Sequence, residues 1–157
     1  MPARTVFVTH SAAGSGAELL MLRLLSRPLG RPVLVIVLEE GELVGMLRGA
    51  GIETMVLPAA ASVLSFRREA GVHAALGLIG PVLRGERALG RVLRPDDIVV
   101  CTSQKAFMFA ALSRLRRRFT LVWWLHDILT PAHFSRSAIR LVTMLSRLLC
   151  RRAIANS

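Results

Sequence analysis

The sequence predicts an α/β fold in which a parallel β-sheet carries helices on both faces. Short apolar and β-branched runs alternate with segments of helical periodicity along the 157 residues. That alternation is typical of parallel strands joined by crossover helices. One run, VLVIVL at 33–38, is apolar without interruption, as expected for a strand covered on both faces.

Six strands and five helices are expected, and the length fits a single domain. The predicted strands are TVFVTH (5–10), VLVIVL (33–38), IETMVLP (52–58), DDIVVCTS (96–103), FTLVWWLHD (119–127) and the beginning of AIANS (153–157). Helical spacing of apolar residues predicts helices over 18–27, 41–51, 67–93 with a kink near Pro81, 105–118 and 135–152.

The charge is distributed unevenly along the chain. Residues 1–97 hold 11 Arg against 9 acids, whereas residues 98–157 hold 9 Arg and one Lys against a single Asp. Such asymmetry indicates an anionic partner. Nucleic acid is disfavoured, because no nucleic-acid-binding motif is present and aromatic residues make up only 5%.

An anionic membrane surface fits the basic half better. Arg140, Arg147 and Arg151 recur at helical spacing. They are expected on a face opposite an apolar one, which would consist of Leu141, Leu145, Leu148 and Leu149. The alternative is an ordinary solvated face.

The cysteines and the N-terminus indicate a cytoplasmic protein, at most peripheral on the inner face of the membrane. Cys101 and Cys150 lie 49 residues apart without a CxxC pair, which suits reduced thiols, and Cys101 is expected in the core. No signal peptide is visible, and the longest nearly apolar stretch, 71–83, has 13 residues, too few to span a bilayer.

Three loops follow predicted strands and carry polar residues. They are His10 to Glu18, Thr102 to Lys105, and the segment from His126 onward. In open parallel sheets, ligands bind beyond the carboxyl ends of the strands. The three loops are therefore expected to converge on one edge.

The first loop contains GSGAE at 14–18. Glycines before a helix let backbone N–H groups approach an anion. A dinucleotide fingerprint fails at Leu19, a P-loop lacks its GK[ST], and a nucleophile elbow fails at Ala13 and Ala17. A generic phosphate-approaching loop remains, or a tight turn that binds nothing. Glu18 also suits the dipole of the first helical turn.

The other two loops carry titratable residues. His126 and Asp127 follow the fifth strand, where an imidazole can act as a base or a hydrogen-bond donor; His10 follows the first strand. Lys105 falls in the first turn of a helix, a place the helix dipole disfavours for a cation, so a bound anion is one interpretation. No metal-ligand spacing is present, and no metal is expected.

Together these loops resemble the N-terminal domain of the family 4 glycosyltransferases of the GT-B fold. The similarity rests on GSGAE (14–18), TSQKA (102–106), WWLHDIL (123–129) and AIANS (153–157), in this order. It covers essentially the whole chain. It implies a Rossmann-like sheet as one half of a GT-B fold, with residues 1–157 forming a single acceptor-side domain.

The resemblance implies roles for the first loop and the fifth. Gly14 and Gly16 would approach the donor diphosphate, in a loop completed by Ser15 and Glu18. His126 would lie near the transferred sugar.

The remaining roles concern orientation and the acceptor. Asp127 would orient His126, while His10, Ser103 and Lys105 would face the acceptor. The family transfers sugar from a nucleotide-sugar with retention, generally without a metal, so the expected partners are a nucleotide-sugar and a glycan or lipid-linked acceptor.

Two departures from the family pattern bear on function. Ser15 interrupts the usual Gly-Gly pair, and Thr102 stands where Asn is frequent. The C-terminal nucleotide-sugar domain is absent, so the chain is expected to be a fragment, a truncated product or one subunit of a two-polypeptide enzyme, inactive alone. A non-catalytic α/β binding module is the alternative.

Overall fold

The computed structural model describes residues 3–14, 16–57, 79–126 and 136–155. Strands and helices alternate in these ranges. The strands are β1 Thr5–Thr9, β2 Val33–Val37, β3 Thr54–Val56, β4 Ile98–Cys101, β5 Thr120–Leu125 and β6 Arg152–Ala155. The helices are α1 Gly16–Leu25, α2 Glu42–Gly49, α3 Ile79–Val92, α4 Gln104–Arg116 and α5 Arg136–Leu149.

The six strands form one parallel sheet in the order β3-β2-β1-β4-β5-β6. The predicted α/β class and the Rossmann-like parallel sheet are therefore confirmed. The order reverses direction between β1 and β4. In such sheets the loops on either side of the reversal diverge and leave a crevice at the carboxyl edge.

Two apolar layers enclose the sheet. Alternate residues of β1 point to opposite layers: Phe7 packs with α1 and α2, whereas Val6 and Val8 pack with α3, α4 and α5. The first layer is centred on Met21, Leu43 and Leu47, and the second on Leu89, Phe107 and Leu121. Burial on both faces explains why β2 is apolar at every position.

Some predicted elements differ from the structure. The first part of the predicted helix 67–93 lies outside the described residues, and Pro81 is the third residue of α3 as described. The apolar face assigned to the last helix was wrong in part, because Leu141 and Leu148 are exposed. Its core-facing side consists of Val142, Leu145 and Leu149.

A buried ion pair fastens β1 to β4 at the amino edge of the sheet. Nε of Arg4 donates to Asp97 at 2.9 Å, and Nη2 donates to the other carboxylate oxygen at 3.1 Å. Asp97 also accepts from the backbone N–H of Arg94 at 2.8 Å, and Arg4 donates to the carbonyl of Val92. These bonds join the start of β1, the end of α3 and the start of β4, next to the strand reversal.

Replacing Asp97 by Asn should destabilise the fold by about 3 kcal/mol, because it leaves the largely buried Arg4 guanidinium without its counter-charge. Urea unfolding followed by tryptophan fluorescence measures the change. Asp96→Asn is the matched control: Asp96 is exposed, and its replacement should stay within about 0.5 kcal/mol. Equal effects of both substitutions would contradict the assignment.

Candidate functional site

The carboxyl ends of β1, β4 and β5 lie side by side. Val8, Cys101 and Trp123 are register partners across these strands. His10 and His126 therefore leave the sheet at nearly the same level, two strands apart, or roughly 10 Å at the usual strand spacing. The register therefore places the strand ends from which the three predicted loops start at one edge; residues 127–135 of the third loop lie outside the described residues.

The first loop, His10 to Glu18, is called the glycine loop below. It leads from β1 into the N-terminus of α1. Neither Gly14 nor Gly16 has a positive φ. Among the described residues, a Cβ at Gly16 would meet no heavy atom within 4 Å, and one at Gly14 would make only ordinary contacts with Met46 and Glu42. Neither the backbone conformation nor packing among the described residues requires glycine here. Gly16 is exposed, and Ser15 lies outside the described residues.

The segment that follows β2 packs against the glycine loop and forms hydrogen bonds with it. The N–H of Ala12 donates to Oε1 of Glu39 at 3.0 Å, and the carbonyl of Ala12 accepts from the N–H of Leu43 at 2.9 Å. Gly41 lies directly against Ala12, since a Cβ at Gly41 would be 2.6 Å from the Ala12 Cβ. Glu39 and Gly41 were not predicted as part of the site, because nothing in their local sequence pattern shows that they contact the first loop.

Glu18 is buried in the first turn of α1. The hydroxyl of Thr9, the last residue of β1, lies 3.5 Å from Oε1 of Glu18 at donor distance. The carboxylate thus points inward beneath the glycine loop. The helix dipole alone does not explain the burial of Glu18, because a carboxylate in the first turn can complement the dipole while it faces solvent.

The loop after β4 is ordered by a helix cap. Oγ of Ser103 accepts from the N–H of Ala106 at 3.3 Å, and Ser103 is buried. Thr102 is also buried, and its N–H donates to the carbonyl of Val8 at 3.0 Å. Lys105 is half-buried in the first turn of α4. Of the two predicted acceptor-side residues in this loop, Ser103 therefore shapes the loop and Lys105 carries the charge.

Two adjacent tryptophans, Trp123 and Trp124, pack the end of β5 against the two apolar layers. Trp123 stacks on Phe107 of α4, with ring centroids 4.5 Å apart and planes 14° apart. Trp124 points to the opposite layer, and its ring lies 4.6 Å from the His126 imidazole at 48°. The half-buried imidazole is thereby placed at the carboxyl edge. Asp127 lies outside the described residues, so its predicted contact with His126 stays a prediction.

The described part of this edge includes the thiol of Cys101, the last residue of β4. The described ranges contain no cluster of three or more His, Cys, Asp or Glu side chains able to hold a metal ion. Burial raises the pKa of the Cys101 thiol well above its usual value, and nearby Cys150 raises it further. Cys101 is thus a protonated core residue at neutral pH, as predicted, and not a nucleophile.

Solved structures share this fold. No protein-family model and no curated protein matches the sequence. The crystal structure of Anabaena Alr3699/HepE in complex with UDP and glucose superimposes with a TM-score of 0.72 at 25% identity. The match covers 99% of this chain and 39% of that one. The HepE complex with UDP-glucose gives the same TM-score and identity, over 99% of this chain and 38% of HepE.

A second protein extends the comparison at the level of the fold. The lipopolysaccharide outer core galactosyltransferase WaaB, in its apo form, has a TM-score of 0.58 at 13% identity. The match covers 89% of this chain and 37% of WaaB. The chain therefore has the fold of one half of a GT-B glycosyltransferase and spans less than two fifths of the length of these proteins.

Replacing Gly41 by Ala should destabilise the protein by about 1–3 kcal/mol, because the new methyl group overlaps Ala12 and pushes the glycine loop away. Gly45→Ala in α2, the helix that Gly41 precedes, is the control. A Cβ at Gly45 meets none of the described residues within 4 Å, so this substitution should stabilise the helix by about 0.5–1 kcal/mol. Thermal unfolding of both variants checks the prediction; a neutral Gly41→Ala would refute the close contact.

Proposed function

We propose that this chain is the acceptor-side half of a retaining, family 4-type glycosyltransferase that uses a nucleotide-sugar donor. The observation that carries the proposal is the single edge shared by the glycine loop, the Thr102–Lys105 loop and His126, on a fold that matches HepE bound to UDP-glucose. An anion-accepting helix terminus beside an imidazole suits a diphosphate next to a reacting sugar.

The donor diphosphate is assigned to the N-terminus of α1. Gly16 begins a ten-residue helix, so its N–H is among those without an intrahelical acceptor. The helix dipole favours negative charge there, and the open space beside Gly16 admits a phosphate oxygen. The carboxylate of Glu18 is buried and lies at hydrogen-bond distance from the Thr9 hydroxyl. We propose that it fixes the first turn of α1 and does not contact the phosphate.

His126 is proposed to lie against the transferred sugar. Its imidazole rests on Trp124, which limits its rotation and keeps it at the crevice. There it can donate a hydrogen bond to a sugar hydroxyl or to the leaving oxygen. Lys105 and His10, on the neighbouring strand ends, would bind the acceptor, and a cation at Lys105 favours an acceptor that carries a phosphate, as lipid-linked glycans do.

The site is one wall of a cleft. In HepE and in WaaB, more than three fifths of the chain lies outside the matched segment. We propose that most contacts to the nucleotide come from a second domain or partner subunit. The isolated chain should then show no turnover, and measurable transfer from UDP-glucose by the chain alone would refute the division of labour.

A chimera tests the site directly. Residues 1–157 would replace the segment of HepE that they match, and transfer from UDP-glucose would be measured. His126→Ala should lower kcat by about 10²-fold or more with little change in the unfolding temperature, because it removes a group that acts on the reacting sugar. Retention of full activity by a folded His126→Ala chimera would show that His126 does not act on the reacting sugar.

A further inference from the structure

The outer side of α5 exposes apolar side chains. Leu141, Met144 and Leu148 are 44%, 50% and 71% exposed, and their spacing places them along one stripe. The other side of the same helix packs Val142 and Leu145 into the core. Burial of the helix in this domain therefore does not account for the stripe.

The neighbouring helix extends this surface. α4 lies beside α5 on the same face of the sheet, and Leu115 in its last turn is 63% exposed. Leu148 and Leu115 are the two most exposed large hydrophobic residues in the described ranges. We call the four exposed side chains on these helices, with the arginines between them, the α4–α5 surface: Leu115, Leu141, Met144, Leu148, Arg140 and Arg147.

The charge of this surface has one sign. Residues 104–126 and 136–155 contain ten basic residues and no acid. Arg140 and Arg147 are exposed and line, with Met144 and Leu148, a shallow groove of about 380 Å³ on α5. Long arginine side chains can lie along apolar surface while their guanidinium groups reach into a polar layer.

A similar patch on the opposite face of the sheet lacks this charge. Leu20 and Leu24 are exposed on α1 beside Arg23 and Arg27. Yet residues 3–57, which build that side, contain five arginines and five acids. Among the described residues, both faces thus expose apolar side chains, but the face that carries the α4–α5 surface is the strongly positive one. Residues 79–126 and 136–155 contain fourteen basic residues against three acids, and one of these acids, Glu86, pairs with Arg116.

We propose that the α4–α5 surface docks on an anionic lipid bilayer. An interfacial helix with leucines on one side and arginines at its boundary inserts its apolar stripe at the level of the headgroups and binds anionic lipid electrostatically. A second copy of the chain would place like charges against each other. Nucleic acid would match the arginines but not the exposed leucines. The proposal goes beyond the sugar-transfer function and does not depend on it.

Docking in this way leaves the candidate site accessible. The α4–α5 surface lies on one face of the sheet, whereas the glycine loop and His126 lie at the carboxyl edge of the strands. A bilayer against α4 and α5 would keep that edge beside the membrane surface, within reach of an acceptor anchored in the lipid.

Vesicle sedimentation of the full chain tests the proposal. The chain should sediment with vesicles of phosphatidylcholine mixed with phosphatidylglycerol and not with phosphatidylcholine alone, and added salt should release it. Arg140→Gln with Arg147→Gln should weaken binding about tenfold or more, since each arginine near the surface contributes about fivefold. Leu141→Ser with Met144→Ser and Leu148→Ser should weaken it at least tenfold at unchanged salt dependence.

Leu20→Ser with Leu24→Ser is the matched control and should bind like the parent chain. Circular dichroism shows whether each variant is folded. Because Arg140 and Arg147 are exposed, the arginine variant remains informative if the serine variant unfolds. Equal binding to both vesicle types, loss of binding in the α1 control alone, or unchanged binding in the folded arginine variant would overturn the proposal. So would a gel shift that shows tighter binding to nucleic acid than to anionic vesicles.

Discussion

The pairing of β1 with β4 is the contact on which the candidate site depends. The two strands are joined at the amino edge by the N–H of Ile98 donating to the carbonyl of Arg4, and at the carboxyl edge by the N–H of Thr102 donating to the carbonyl of Val8. Because strand order reverses here, α1 and α4 leave the sheet toward opposite faces. The gap between their N-termini is the crevice.

Each loop around that crevice is fixed by a different kind of contact. The first is held sterically by Gly41 and through a hydrogen bond by Glu39. The second is held by the Ser103 cap, and the end of β5 by the stacking of Trp123 on Phe107. Polar side chains at the edge can thus keep their positions without a ligand, a form of preorganisation that lowers the cost of binding.

The sequence was sufficient for the class of fold and for the edge that carries the site. Strands such as VLVIVL can be predicted from the sequence because burial on both faces excludes polar residues, and parallel topology then places every loop that follows a strand at one edge. Contacts between residues far apart in sequence could not be predicted. The Arg4–Asp97 pair and the Gly41–Ala12 contact depend on which segments become neighbours, which local periodicity does not encode.

The rotation of α5 was misassigned because apolar residues occupy more than half of its circumference, so the pattern alone cannot tell the core side from the exposed stripe. The described helices include none long and apolar enough to cross a membrane.

The central claim, that the carboxyl edge at the strand reversal receives a nucleotide-sugar, is tested most directly by NMR. Backbone amide shifts of the ¹⁵N-labelled chain would be followed during titration with UDP-glucose. We expect shifts that cluster at Gly14, Gly16, Lys105 and His126, with saturation at millimolar concentrations because only one wall of the cleft is present. Shifts confined to the amino edge of the sheet, or no saturable shifts at the carboxyl edge, would contradict it.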